Sequence, residues 1–437
     1  MNFKHTLLAT ALAFAAQASF AQTTLLGAYE AAAAYDAALV AAKANQDVAK
    51  EKIIQAKSVL KPTVNLSGSS SRGVSETYNS HVDNTYWSSG ITLASTYPIY
   101  RPALKTVINQ TELSAKLTET ALANAQSDLM VRVAQAYFDV LLTQDTLASI
   151  AVQKKAIAEQ LAQAKREFEV GTKTIVDTNE AQSRFDQVLA QEAVAQGDEV
   201  GKRAALATLM GAEPQKLAAL IDNPTIGAAN PADINAWAER AEQASVSVQN
   251  AQIASDIAKL EIERNKLNKK PTADAFFNVN GNRSIRSPGG STNSTSTSAT
   301  VGVQFAYSVY NGGNLDSKVR ESIAAYGKTL ADIDGAKRAV SQAARLAYLS
   351  LTYGLAQITA LESVRRSSQT LLDSTKLGYQ VGVRINLDVL NAQQTLANNA
   401  KDIAKARYDS IMAGIRLKAA ANQLSEQDMR DASMQMK

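Results

Sequence analysis

Few residues in this chain have the makings of catalysis. Cysteine is absent and there are two histidines, His5 and His81. With His5 inside a leader-like N-terminal stretch, one imidazole remains, which builds neither a Ser-His-Asp triad nor a multi-histidine metal site. The run Gly197-Asp198-Glu199-Val200-Gly201-Lys202-Arg203 looks superficially like a phosphate loop. It is one residue short between its glycines, lacks Ser or Thr after the lysine, and lies in a helical stretch. The carboxylates with the most defined setting are Asp177 and Asp388. Each comes after a glycine, Gly171 or Gly382, suited to the left-handed residue that ends a helix, and then a good N-cap for the next helix, Thr174 or Asn386. Both acids are therefore expected in a first helical turn, where the backbone dipole favours negative charge. That is electrostatics at a helix-to-helix turn. No enzymatic activity and no cofactor are expected.

The two turns are copies of one another. Val170-Gly171-Thr172-Lys173-Thr174-Ile175-Val176-Asp177 returns as Val381-Gly382-Val383-Arg384-Ile385-Asn386-Leu387-Asp388. Tyr97-Pro98-Ile99-Tyr100 returns as Tyr307-Ser308-Val309-Tyr310, and Ala136-Tyr137 as Ala347-Tyr348, always about 210 positions apart. A constant offset across whole halves means duplication of one structural unit.

The elements that carry these turns are long helices. All eight prolines fall in three windows, around 62–102, 214–231 and 271–288. Between and after them the chain is rich in Ala, Leu, Gln and Lys. A helix from about Ala103 to about Glu169 would be roughly 100 Å long, far beyond globular norms. Leu122, Ala125, Leu129, Val133, Ala136 and Val140 step by three and four, and so do Leu346, Leu349, Tyr353, Ala356 and Ala360. Each set predicts a coiled-coil-like seam.

The proline windows alternate instead. Val64, Leu66 and Gly68 share one parity, as do Ile91, Leu93 and Tyr97, and Val301, Val303, Phe305, Tyr307 and Val309. These read as strands with one apolar face, paired through polar loops near 76–85 and 287–298. Aromatic residues including Tyr78, Trp87, Tyr97 and Phe277 cluster there, as interfacial bands would. One chain then supplies four strands, whereas a membrane barrel needs at least about eight, because an open edge in lipid strands backbone polar groups. Two protomers bring roughly eight and three bring roughly twelve.

Residues 1–21 read as a signal peptide: Lys4, an apolar run from Leu7 to Phe14, and small residues Ser19 and Ala21 before the expected cut. No later stretch approaches the roughly 18 apolar residues of a membrane-spanning helix. The absence of cysteine removes a lipid anchor at the cleavage site. Forty-five basic residues, 44 without Lys4, face 41 acidic ones, so nothing indicates nucleic acid.

The order of these elements, with Tyr307-Ser308-Val309-Tyr310-Asn311-Gly312-Gly313 closing the second hairpin, Gly378 to Gln393 forming the second turn, and Ala406-Arg407-Tyr408-Asp409 and Leu417 to Leu424 near the end, resembles the TolC family of outer-membrane exit ducts over essentially the whole mature chain. Asn422 stands where that family usually has Gly, as Gly211 does in the first copy, and Ser308 replaces a common proline.

The resemblance implies an α+β membrane protein, internally duplicated. It would be a homotrimer with a twelve-stranded β-barrel in the outer membrane, continued by an α-helical coiled-coil-like tunnel in the periplasm. The expected organisation is a signal peptide at 1–21; a first repeat at 22–212, with a β-hairpin at about 63–99 and a long helical hairpin at about 103–210; an equatorial linker at 213–232; a second repeat at 233–424, with hairpins at about 272–309 and 314–424; and a tail at 425–437.

The implied partners are a periplasmic adaptor (membrane fusion) protein, an inner-membrane ABC or proton-driven transporter that supplies the energy, and outer-membrane lipid. Residue by residue, Asp177 matches the periplasmic gate aspartate, and Tyr379 and Arg384 match the residues that bond to it across adjacent helices. Asp388 matches one acidic ring of the constriction, while Asn391 stands where the second ring would be. Val170, Gly171, Thr172, Val381, Gly382 and Val383 match the tips that meet the adaptor. The resemblance leaves protein secretion and small-molecule efflux equally open. A periplasmic helical scaffold without a pore is the competing reading, and the lipid-facing alternation is what distinguishes the two.

Overall fold

The computed structural model of the chain describes residues 22–76, 83–172, 174–221, 224–286 and 293–437. The expected leader, Tyr78, His81 and both hairpin tips lie outside these residues. Contacts divide the chain into two compact units. One comprises residues up to Lys43 with Ala121–Val248 and Ala336–Lys437, and the other comprises Ala44–Thr120 and Gln249–Gly335.

In chain order the elements are α1 (Leu25–Tyr35), α2 (Ala37–Ser58), β1 (Thr63–Glu76), β2 (Asp83–Tyr100), α3 (Pro102–Glu169), α4 (Ile175–Met210), α5 (Ile234–Ala244), α6 (Val246–Leu267), β3 (Thr272–Arg286), β4 (Ser294–Ala306), α7 (Asn314–Gln380), α8 (Asn386–Ala420) and α9 (Glu426–Ser433). The duplication is plain in this order. Helices α3 and α7 run for 68 and 67 residues, as the proline-free stretches require.

The unit containing residues 44–120 and 249–335 holds an antiparallel sheet in the order β1-β2-β3-β4. Its register places Leu66, Leu93, Val279 and Ala299 in one row across the strands, and Gly68, Ile91, Gly281 and Thr297 in the next row on the same face. Val64, Leu66, Ile91, Val301, Val303 and Phe305 are all exposed. The helical ends are tied by Arg101, whose Nε and Nη2 donate to both carboxylate oxygens of Asp274 at 2.7 and 2.6 Å, and by Lys57 against Glu112 at 2.8 Å.

The second hairpin differs from expectation at its end. β4 stops at Ala306, which pairs with Thr272, so Tyr307 and Val309 are not strand residues. The next partner would be Pro271, which has no N–H to donate. Gly312 and Gly313 then turn the chain at φ 65° and 80°, a left-handed pair that glycine adopts without strain.

The other unit is built around a core in which Leu129, Val133, Tyr137, Phe138, Val140 and Leu141 of α3 meet Leu25 and Tyr29 of α1, Leu206 of α4, Met412 of α8 and Met429 of α9. The first-copy seam is therefore inward, with Leu122, Ala125 and Ala136 at its edge. The buried Tyr137 hydroxyl donates to the carbonyl oxygens of Thr23 and Ala218 at 2.8 and 3.0 Å.

The second-copy seam is displaced. Leu346, Leu349 and Tyr353 are exposed, and the inward stripe of α7 is Leu351, flanked by Ala347, Tyr348 and Leu355, against Trp237, Ala413 and Leu417. Two apolar stripes run along α7, and among the described residues the second is packed in a core cluster while the first is exposed. The C-terminal segment is not a loose tail, since Met429 is fully buried and the Ala219 and Lys437 backbones exchange hydrogen bonds. Asn422 adopts φ 51°, matching Gly211 at 72°. Asn is among the few residues that tolerate this region, so the departure from glycine leaves the local conformation intact.

Among the described residues no single helix is long and apolar enough to cross a membrane; the bent pair α1 and α2 passes by length and composition only. Leu25, Ala28, Tyr29 and Ala32 of α1 are buried in the core, with Leu26, Ala31 and Ala33 packed against it.

Asp36 joins α1 to α2. Its Oδ1 accepts from the Leu39 N–H at 2.8 Å and its Oδ2 from Arg132 at 3.0 Å. The Arg132 bond holds this carboxyl below its ordinary range, with the Leu39 and Ala38 amides assisting against burial. A depressed carboxylate stabilises at neutral pH and loses that contribution as pH falls through its folded-state value. Asp36→Asn is accordingly expected to cost about 1–3 kcal/mol at pH 7, and progressively less below the ordinary carboxylate range. Denaturant midpoints of variant and parent across pH measure this; a pH-independent difference contradicts it.

Candidate functional site

The two helix-to-helix turns share a backbone pattern. In the first, the Thr172 N–H reaches the Glu167 carbonyl at 2.9 Å, and in the second the Val383 N–H reaches the Gly378 carbonyl at 2.8 Å. Each closes a helix in the six-to-one manner of a Schellman cap. Gly171 and Gly382 adopt φ 76° and 78°, as their position at the cap demands.

Beyond these glycines the copies diverge. Thr174 caps α4, and Asp177 Oδ2 accepts from the Thr174 N–H at 3.1 Å and its hydroxyl at 2.9 Å. At the second turn the cap position belongs to Ile385, and Asn386 is the first helical residue, buried at 4% exposure. The expectation that Asn386 caps this helix is therefore corrected: the repeat register aligns Thr174 with Ile385. Asp388 still lies in the first turn.

Tyr379 joins α7 to α3. Its hydroxyl donates to Glu167 Oε2 at 2.7 Å, while its ring packs against Leu372, Val389 and Ala392. Burial pushes the Tyr379 hydroxyl well above the usual phenol range, and the Glu167 bond and the charges of Glu167 and Asp177 add to this. The phenol therefore stays protonated and acts as a donor. Arg384 finds a carboxylate on its own helix-turn, with Nη1 3.6 Å from Asp388 Oδ2. It passes over Gly378, where a Cβ would come within 2.7 Å of the Arg384 Cγ. The link expected from Arg384 to Asp177 is thus replaced within one chain by Arg384 to Asp388, and the hydroxyl expected at Asp177 goes to Glu167.

Asn391 has a cation beside it. Arg184 of α4 places Nη2 3.3 Å from Asn391 Oδ1. The two helices are brought together at this level by Ile157, Val188 and Leu390, which are buried against one another. Neither Glu167 nor Arg184 stands out in the sequence. Glu167 aligns with Gly378 in the other copy, so the repeat gives it no emphasis, and both read as ordinary charges on a solvated helix face.

Val170, Val381 and Val383 are exposed, as are Ile175, Val176 and Ile385. The turns thus present apolar side chains around glycine-made bends, with a cluster of acids, arginines and a tyrosine immediately behind them. This arrangement suits recognition and charge filtering.

A family model described as Outer membrane efflux protein matches residues 28–212 and 237–423. The chain is 30% identical over 411 residues to Outer membrane protein TolC of Vibrio cholerae, covering 94% of this chain and 93% of that protein. It is also 30% identical to the alkaline protease secretion protein AprF of Pseudomonas aeruginosa, over 72% of this chain and 66% of that one. Among solved structures, the Campylobacter jejuni CmeC outer membrane channel superposes with a TM-score of 0.76 at 13% identity, covering 94% of this chain and 90% of that one. At that identity the likeness concerns the fold alone.

Proposed function

From the premise that this chain belongs to the outer membrane efflux protein family, we propose how it works as an outer-membrane exit duct for secretion or efflux. Three copies join their sheets into one barrel of twelve strands, and their helices form a periplasmic tunnel that opens at the α3–α4 and α7–α8 turns.

The observation that carries this reading is the sheet itself. Strands β1 and β4 are its unpaired edges, and one of its faces is a field of exposed Val, Leu, Ile and Phe. In water that is an aggregation hazard. In lipid, with edges joined between copies, every backbone group is satisfied. The exposed stripe Leu346, Leu349 and Tyr353 on α7 supports assembly as well, because a neighbouring helix would cover it.

At the periplasmic end, Asp177, Tyr379 and Arg384 form the gate together with Glu167. In the trimer Arg384 has two carboxylates within its choice, Asp388 of its own chain and Asp177 of a neighbour. Asp388 lines the constriction, and Asn391 occupies the position of a second ring. Val170, Gly171, Thr172, Val381, Gly382 and Val383 meet the hairpins of a periplasmic adaptor protein, which links the duct to an inner-membrane ABC or proton-driven transporter. The relative AprF is named for protease secretion, which supports secreted protein as one class of cargo.

The outer-membrane fraction of expressing cells is expected to yield a heat-modifiable trimer that conducts ions in planar bilayers. Recovery as a detergent-free monomer rejects the duct. For the adaptor surface, Val383→Glu is expected to reduce co-purification of the adaptor at least severalfold while the trimer persists; undiminished capture removes these turns from that interface.

A further inference from the structure

The register of the sheet places two arginines on its apolar face. Stepping by two residues from the Leu66-Leu93-Val279-Ala299 row, the same face carries Gly68-Ile91-Gly281-Thr297, then Ser70-Ser89-Arg283-Thr295, then Arg72-Trp87-Ile285. Arg283 and Arg72 therefore point the way the valines and leucines point. Between the Phe305 row and the Val74 row no acidic residue shares that face. An arginine on the lipid side of a barrel is costly at the bilayer midplane and nearly free at its edge.

The depth agrees with the edge. From the row of Ala273 and Phe305 to the row of Arg283 is ten residues. At about 3.4 Å per residue that is roughly 34 Å along the strand, or about 26 Å along the membrane normal at a tilt near 40°, close to the roughly 25 Å apolar band of outer-membrane barrels. The arginines lie toward the hairpin tips, away from the helices, and hence in the outer leaflet. Trp87, in the same row as Arg72, is the residue type that settles at such a boundary.

We propose that Arg72 and Arg283, with the hydroxyls of Ser70 and Ser89 between them and that of Thr295 on the strand beyond Arg283, form a binding site for a bis-phosphorylated glycolipid of the outer leaflet. β1 and β3 are separated by one strand, so the two arginine Cα atoms are about 12 Å apart from strand spacing and one row of offset. Each guanidinium pairs with phosphate through parallel N–H donors, and two phosphates on linked sugars match two separated arginines better than one. The small residues Gly68 and Gly281 directly beneath leave room for the sugars and first acyl carbons. The site holds the lipid to the barrel wall by charge where the apolar band ends.

This inference rests on the barrel reading, and the test separates the two. The full-length trimer is purified and exposed to lipid A, to its phosphate-free analogue and to inorganic phosphate, with retained lipid counted by native mass spectrometry. The parent is expected to retain lipid A at least tenfold better than the phosphate-free analogue, and R72Q/R283Q to lose that preference while its conductance is unchanged. R283Q alone serves if the double variant fails to assemble, and it is expected to lose severalfold. Equal retention by parent and variant, or equal retention of the phosphate-free lipid, overturns the proposal, and displacement by an equal concentration of inorganic phosphate overturns a lipid as the ligand. In parallel, the part of tryptophan quenching by bromine-labelled acyl chains that disappears in W87F reports whether this face touches lipid. No such quenching sinks the barrel itself; quenching without arginine dependence sinks only the lipid site.

Discussion

Tyr379→Phe is expected to raise the single-channel conductance of the assembled duct severalfold, and Glu167→Ala to do the same. The hydroxyl of Tyr379 donates a hydrogen bond to Glu167 and so ties the end of α7 to the end of α3 in every copy. A hydrogen bond to a charged group contributes roughly 1.5–3 kcal/mol net. Threefold repetition brings the sum to about 6 kcal/mol, and moving a two-state equilibrium from 1:99 to 99:1 needs about 5.5 kcal/mol. On the proposed gate, one phenol hydroxyl per chain is therefore enough to decide whether the mouth rests closed.

The double variant tells whether the two residues act as one bond. Tyr379→Phe with Glu167→Ala is expected to conduct no better than either alone, because the second change removes nothing that the first left in place. Additive increases mean two separate latches. Arg384→Ala is expected to open the mouth independently, since its partners are Asp388 within the chain and, in the proposed trimer, Asp177 of a neighbour. Conductance untouched by all three substitutions removes the gate from these turns.

Asn391→Asp is expected to strengthen block by multivalent cations only modestly, whereas Arg184→Gln/Asn391→Asp is expected to strengthen it by about two orders of magnitude. The reason is the 3.3 Å contact between Arg184 and Asn391. A new carboxylate at 391 pairs first with that guanidinium, and the pair presents little net charge to a passing ion. With Arg184 neutral, three added carboxylates each attract a trapped cation by about 1 kcal/mol in a water-like dielectric at about 4 Å, and about 3 kcal/mol corresponds to roughly a hundredfold in affinity. Arg184→Gln alone should raise cation preference, because it removes the positive charge beside Asn391. Planar-bilayer block by a multivalent cation complex measures all three variants. If the double variant is blocked no better than the parent, residues 388 and 391 do not line the narrowest point.

Both predictions depend on contacts between residues more than 200 positions apart, 212 for Glu167 and Tyr379 and 207 for Arg184 and Asn391, and neither pair leaves a mark in the linear chain. The duplication, the alternation of three of the four strand segments, the long helices and the glycine-ended turns were all legible, because each is a matter of local period or local dihedral preference. Where local signals competed, the sequence was a poorer guide. Asn386 is a better cap by residue type than Ile385, yet the length of the turn set the cap at Ile385. Alternation continued through Tyr307 and Val309, yet strand pairing ended where Pro271 has no proton to offer.

By itself, then, the chain determined which segments are helix and strand, how many strands it can offer, and that its sheet cannot close alone, since these follow from periodicity and from the obligation of backbone groups in lipid to pair. Only the tertiary structure decided which of α7's two apolar stripes turns inward and which carboxylate accepts the Tyr379 hydrogen bond. It also decided that an arginine stands beside Asn391. Exposed charges choose partners by distance across packed helices, and that distance is set by side chains such as Ile157, Val188 and Leu390, which meet from three different helices.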